Sequence, residues 1–292
     1  MSILVPSGIQ HPEMASYGQL GWSATTRATA VALVLLSLLF ALGLGCSSTS
    51  QSNVSSDEAD SVLSHPTGRM PERLPATSMA WGTFEGPRGD DGLPQGWSVK
   101  TFDGVPPTAF VLLQRDTGTF VEAVAEGGAA LLVREIHVDL KKFPRLSWKW
   151  RVTEIPATAD VRKKEGDDCA ARLFVSFAYD PSTASALERL TRSLYDPDLP
   201  GTALNDIWSR KLQRGKCLPN AFTEKTQMIA VRCGPGAAGQ WVTEERNVYQ
   251  DYLAAFGAEP PKVIAVAIMA DADQTGGRAG AQFDDLVFHA GE

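Results

Sequence analysis

Short runs of β-branched, aromatic and aliphatic residues recur from Trp81 onward, each closed by a turn signal, and this spacing restricts the fold more than any other feature. The runs are Trp81–Glu85, Trp97–Phe102, Ala109–Arg115, Thr119–Ala125 and Ala130–Ile136. Between them lie Gly89-Asp90-Asp91-Gly92, Pro106-Pro107, Asp116-Thr117-Gly118 and Glu126-Gly127-Gly128. Glycine and aspartate supply turn conformations, and paired prolines cannot donate to a ladder, so each run ends abruptly. A parallel sheet would need helices of ten or more residues between strands. This region predicts instead an all-β, antiparallel β-sandwich of jelly-roll type with one or two peripheral helices.

The stretch from Leu146 to Asp180 carries the clearest local pattern. Trp148, Trp150 and Val152 alternate with Ser147, Lys149 and Arg151, the period of a half-buried strand. A charged connection, Thr153 to Asp168, leads into a nearly continuous apolar run from Ala170 to Tyr179. The two runs read as neighbouring strands of one sheet, with Gly166, Asp167 and Asp168 at the mouth of the second. Further strands are expected at Ile207–Leu212, Thr226–Arg232, Gln240–Val242, Val263–Ala270 and Ala281–His289. Val263–Ala270 is apolar on both faces and is therefore placed centrally. Leu187, Leu190 and Leu194 predict one helix after Ser182. Val248, Tyr252 and Phe256 predict another over Glu244–Phe256, stopped by Gly257 and Pro260-Pro261.

The N-terminal part reads differently. Arg27 precedes an apolar run of about 18 residues that ends at Cys46, at the lower limit for a membrane span. A base, an apolar core and a small residue before cysteine form an export signal of the lipoprotein kind, so lipidation of Cys46 is expected, with an uncleaved helical anchor as the alternative. Residues 1–46 are assigned to this signal or anchor. Residues 47–75, rich in Ser and Pro and poor in aromatics, are assigned to a disordered tether, and residues 76–292 to one β-sandwich domain. The expected location is the cell envelope, with the membrane reached through the N-terminal lipid or helix. A net charge of −7 over 292 residues, with the longest basic run (Arg162-Lys163-Lys164) flanked by acids, excludes a phosphate-reading surface and hence a nucleic-acid partner. In an oxidising envelope Cys217 and Cys233, both at loop–strand boundaries, are the expected disulfide, leaving Cys169 in a strand.

An ordered set of motifs spans nearly all of the expected folded part. It comprises Trp148-Lys149-Trp150, Gly166-Asp167-Asp168, the segment from Trp241 through Glu244, Arg246 and Asn247 to Tyr252, Ala267 to Gly277, and Phe283 to Phe288. This set resembles the bacterial family catalogued as domain of unknown function 3047. The resemblance implies a single β-sandwich similar to galactose-binding or carbohydrate-binding jelly rolls, and it carries no mechanism. Ser182 to Gly201 departs from it, being longer and more helical than the family pattern.

Candidate chemistry concentrates in acidic turns. Asp271, Asp273 and Thr275 place oxygens at alternate positions before Gly276, as in the first half of a calcium loop. The twelfth position is Gln282 rather than a bidentate Glu, so an EF-hand is excluded. Asp271 and Asp273 remain the candidate ligands for a structural calcium, with Glu85 and Asp284 as a second geometry and a solvated Asp/Gly turn as the plain alternative. Trp148, Trp150, Trp208 and Trp241 could form a sugar-stacking platform or simply fill a core. Gly234-Pro-Gly236-Ala-Ala-Gly239 mimics a dinucleotide fingerprint, but Trp241-Val242 after it is strand, so a glycine-rich hairpin loop is expected. No two of the four histidines share ligand spacing, and G-x-S-x-G, P-loop and H-E-x-x-H motifs are absent.

The resulting expectation is an envelope-anchored lipoprotein whose β-sandwich binds a cell-surface polysaccharide. Trp150, Asp168, Arg172, Asp271 and Asp273 are the candidate contacts, on the premise that the aspartate doublet and the later acidic loop meet at one rim. The alternatives are a carboxylate-dependent glycan hydrolase or lyase on the same scaffold and a purely structural envelope protein.

Overall fold

The computed structural model describes residues 78–115, 118–181 and 200–291. The expected export segment with Cys46, the tether and the leucine-spaced helix after Ser182 lie outside these residues. The strands are β1 (Ser78–Gly82), β2 (Trp97–Thr101), β3 (Ala109–Arg115), β4 (Gly118–Glu126), β5 (Ala130–Val138), β6 (Arg145–Glu154), β7 (Ala171–Phe177), β8 (Thr202–Ser209), β9 (Cys217–Asn220), β10 (Thr223–Cys233), β11 (Val242–Asn247), β12 (Val263–Met269) and β13 (Arg278–His289).

They form an all-β sandwich of two sheets. The first has the order β11-β6-β13-β4-β3, with β1 also on β13. The second runs β2-β5-β12-β7-β8-β10-β9. All neighbours pair antiparallel except β8 and β10, which are parallel. β12 lies inside the second sheet, between β5 and β7, as its two apolar faces require.

Alternation along β6 buries Leu146, Trp148, Trp150 and Val152 completely. They meet Phe283 and Val121 of their own sheet and Leu173, Val175, Trp208 and Ile268 of the other, in one inter-sheet core. Trp148 and Trp150 stack edge to face with centroids 5.3 Å apart, and Trp150 meets Trp208 at 5.8 Å. Such pairs add about 0.5–1.5 kcal/mol each beyond burial. Of the four tryptophans considered for a platform, three are therefore core, and Trp241 alone is exposed, at 38%.

Several expectations are corrected here. β6 and β7 are not neighbours in one sheet; they belong to opposite layers, so the connection between them crosses the sandwich. The glycine-rich run 234–239 is likewise no hairpin loop, because it carries the chain from β10 in the second sheet to β11 in the first. Glu244–Asn247 is strand, paired to β6 from Trp148 to Arg145. The helix α1 starts only at Val248 and ends at Phe256. Asn247 sets that start, since its side chain accepts from the Gln250 N–H at 3.0 Å, and Gly257 ends it in a left-handed conformation (φ 68°). Cys217 and Cys233 are both exposed free thiols rather than a disulfide, and Cys169 is a buried free thiol.

Candidate ligand cleft and its acidic end

The second sheet has two differently used faces. Directly opposed residues on neighbouring strands share a face. Leu173, Val175 and Phe177 of β7 point into the inter-sheet core, so Arg172, Phe174 and Ser176 point outward. Register places Met269, Ala267 and Ala265 of β12 beside these three, and Ile207, Asn205 and Ala203 of β8 on their other side. One part of this outer face is covered by a small second core in which Val161, Cys169 and Leu212 pack on Ile207, Met228 and Ala230. The rest is open as a cleft of about 310 Å³, at the lower end of the roughly 300–1,000 Å³ usual for small-molecule sites. Ala203, Ala265 and Ala267 keep its floor low. Phe102, Val105, Leu131, Val133, Phe174 and Phe222 supply apolar surface, and Ser176, Asn220, Thr223, Thr226 and Gln274 add polar groups.

The acidic end is built from the connection before β7 and the turn after β12. Gly166 must be glycine, because a Cβ there would meet the backbone of Asp160 at 2.9 Å. The Asp160 N–H donates to the Gly166 carbonyl at 2.8 Å. Arg162 holds Asp160 in turn with two 2.7 Å contacts, which pull its carboxyl down to about 2. This tight loop presents Asp167 and Asp168 in opposite directions.

Asp167 faces Arg172. The guanidinium donates to the Asp167 carbonyl (2.7 Å) and Oδ1 (2.9 Å), while Asn220 donates to Asp167 Oδ2 at 2.6 Å. Arg172 also makes a forked contact to Asp271, Nε to Oδ1 at 2.7 Å and Nη2 to Oδ2 at 2.8 Å. Arg172, Asp167 and Asp271 are all buried. Burial pushes the Asp271 carboxyl up, against the pull of the guanidinium; the fork itself is the geometry of an ionised pair. Desolvation works against the charge on Arg172, but the carboxylates around it, Asp271 foremost, outweigh that and hold its guanidinium well above its ordinary value.

Asp168 faces the later turn. Its Oδ1 accepts from the Gln274 N–H at 3.1 Å and its Oδ2 from the Thr275 N–H at 2.7 Å. It is fully buried and serves as the anchor of residues 271–276. Asp168, Asp271 and Asp273 each bring one oxygen within 4.8 Å of the others. The two acidic motifs, 103 positions apart at Asp168 and Asp271, thus meet as the sequence reading required.

Of the five candidate contacts, Arg172, Asp271 and Asp273 line the cleft. Asp168 stands behind the turn that it anchors. Trp150 is corrected outright: it lies at 0% exposure between the sheets, its Nε1 donating to Glu244 at 3.4 Å. Phe174, Asn220, Phe222 and Gln274 were missed as candidates. The signal for Phe174 was available, because Arg172, Phe174 and Ser176 form one face of β7.

The sequence profile of a family described as a protein of unknown function (DUF3047) matches residues 95–287. The search of curated proteins gave no match. Among solved structures the chain is similar to a carbohydrate-binding module of the β-sandwich superfamily, at 10% identity and a TM-score of 0.33 over 70% of this chain and 60% of that one. It is similar to the tailspike protein 4 enzymatically active domain of bacteriophage CBA120 (9% identity, TM-score 0.33, 70% and 20% covered). It is also similar to the family GH12 endoglucanase 3 of Trichoderma harzianum (10%, 0.37, 75% and 100%). The chain therefore spans 60% and 20% of the first two of these proteins.

Proposed function

The chain belongs to the DUF3047 family of proteins of unknown function, and we propose that it is an exported, lipid-anchored binding module that holds a cell-surface saccharide in the cleft over β7, β8 and β12. One observation supports this most: a cleft with an aromatic and aliphatic lining, a low alanine floor and hydroxyl and amide groups within it. Sugar rings offer an apolar C–H face and polar edges, and such a lining suits both.

Binding is favoured over hydrolysis because the carboxylates are already engaged. Both oxygens of Asp168 and of Asp271 accept hydrogen bonds from within the protein, and Asp167 is held by Arg172 and Asn220. A glycosidase needs two carboxyl groups facing one bond, about 5 Å or more apart. Asp273 is the one member of the set with a half-buried side chain and no partner beyond its own turn.

The test is a titration of the full chain with a panel of envelope saccharides, repeated on Ala203→Phe, which raises the floor of the cleft. Binding by the parent chain is expected, with at least a tenfold loss in the variant at an unchanged melting midpoint; undiminished binding by the variant would move the ligand elsewhere. The anchor is tested on the same preparation. Membrane-extracted chain should begin at a lipid-modified Cys46, and an unmodified N-terminus upstream of it contradicts the proposal.

The convergence of Asp168, Asp271 and Asp273 favours a second reading of the acidic end, a structural calcium held by Asp271 and Asp273. Its outcome is read by melting. A bound ion stabilises by mass action, so excess calcium should raise the midpoint by several degrees over chelator. Equal midpoints would leave the carboxylates to Arg172 and the loop amides.

A further inference from the structure

The cleft carries a one-sided charge. Its lining holds the carboxyls of Asp167, Asp271 and Asp273 against the single guanidinium of Arg172. That guanidinium is enclosed between Asp167 and Asp271, so among the described residues the lining itself offers no free cation; Lys164 lies over the Phe222 ring at 5.5 Å, outside the lining. Asp273 differs from its neighbours: Gln274 Nε2 donates to its Oδ2 at 2.6 Å, and no basic side chain among the described residues pairs with it.

A second and independent observation lies on the same face. Asn205 is fully buried, and neither its Oδ1 nor its Nδ2 has a hydrogen-bond partner among the described residues. Register sets it opposite Phe174 of the cleft and beside Met228. Buried amides are ordinarily satisfied, so an orphaned one beneath a cleft points to a polar partner supplied from outside the chain.

We propose that the cleft selects a cationic saccharide, one bearing a free amine, with the ammonium at Asp273, the ring against Phe174 and a polar substituent directed to Asn205. This rests on the cleft being the ligand site. An ammonium donates to the Asp273 carboxylate and supplies the positive charge that Asp273 lacks among the described residues, whereas a uronate carboxylate would face Asp273 and Asp271 with no free basic group in the described lining to meet it.

The experiment is calorimetric titration of the full chain in chelator-treated buffer at about pH 6, where a sugar amine carries its proton. The probes are oligomers of glucosamine, of N-acetylglucosamine, of glucose and of galacturonate. The amine-bearing oligomer should bind at least about tenfold tighter than its acetylated counterpart, and galacturonate weakest. Asp273→Asn should bring the amine and acetamide oligomers to equal affinity, abolishing the preference for the amine. Asn205→Leu should weaken every oligomer that binds. Equal affinity of amine and neutral oligomers for the parent chain overturns the charge selection and leaves the saccharide reading standing; no binding by any of the four overturns both. If Asp273→Asn does not fold, a salt series on the parent chain decides, because the amine affinity must fall with added salt while the neutral affinity holds. A salt-independent amine affinity overturns the proposal.

Discussion

Arg172→Met should cost the fold about 3–5 kcal/mol, the usual consequence of removing one partner from a buried ion pair. Arg172 has 3% of its side chain exposed and donates four hydrogen bonds to oxygen at once, two to Asp271, one to the Asp167 carboxylate and one to the Asp167 carbonyl, besides a contact to the Met228 sulfur. Methionine fills much of the same volume beside Met228 but leaves two carboxylates in an apolar site. The loss therefore comes from stranded charge more than from lost packing. Arg172→Met with Asp271→Leu and Asp167→Asn should recover a large share of it, since replacing all members of a buried ionic set by packed groups is often close to neutral. Denaturant unfolding of the single and triple variants measures both. A single variant as stable as the parent would mean that these carboxyls are not held as drawn. Asp168→Ala should also lose stability, because the 271–276 turn hangs on its two oxygens; a hydrolase reading would have it lose turnover alone.

The layered β architecture was legible because each strand writes its own period and each turn its own chemistry. Trp148, Trp150 and Val152 announced one buried face without any knowledge of partners. What they could not announce was which layer they would join, since pairing is set by residues far away in the chain: Phe283 on one side and Val242 on the other. The same non-locality hid β9. Cys217–Asn220 is four residues long, contains Pro219 and has any strand character only as an edge beside β10. At Glu244–Asn247 the helical spacing of Val248, Tyr252 and Phe256 was real, but extending it backwards ignored Asn247, whose side chain caps the helix and so marks its first turn.

The acidic end was anticipated in part. Two aspartate motifs beside strand ends can meet only if topology places those ends together, and β7 and β12 are paired neighbours. The cleft was harder to read. β7 is apolar on both sides because one face fills the inter-sheet core and the other lines the cleft, so Phe174 looked like more core. Trp150 failed for the converse reason. Same-face aromatic spacing serves a platform or an interior equally well, and only the facing sheet, through Trp208 and Leu173, decides between them.

Asp206 should make the chain lose stability as pH rises. It sits on β8 opposite Leu173 and Ile229, facing the core at 3% exposure, and its Oδ1 has no hydrogen-bond partner among the described residues. Burial pushes its carboxyl up to about 8; Asp251 and Glu244 add to that shift and Arg246 opposes it. Arg246 is itself engaged with Asp251, Nε to Oδ2 at 2.8 Å, and the nearby Cys217 thiol, pushed up by burial, stays uncharged over this range. The unfolded carboxyl titrates near 4. Between about pH 4 and 8 the folded state holds a proton that the unfolded state has released, so each step upward in pH favours unfolding. The stabilising share is complete below about pH 4 and gone above about pH 8, and at about 1.4 kcal/mol per pKa unit it amounts to a few kcal/mol. Asp284 is raised as well, to about 7, and slopes the parent curve in the same direction. The decisive quantity is therefore the difference between the parent and Asp206→Asn, which keeps the shape and cannot ionise. Unfolding free energies should nearly coincide for the two at about pH 4.5 and separate in favour of the variant by about pH 8.5. Curves that stay parallel across that range would mean that Asp206 is charged in the folded chain, with Arg246 turned towards it rather than towards Asp251.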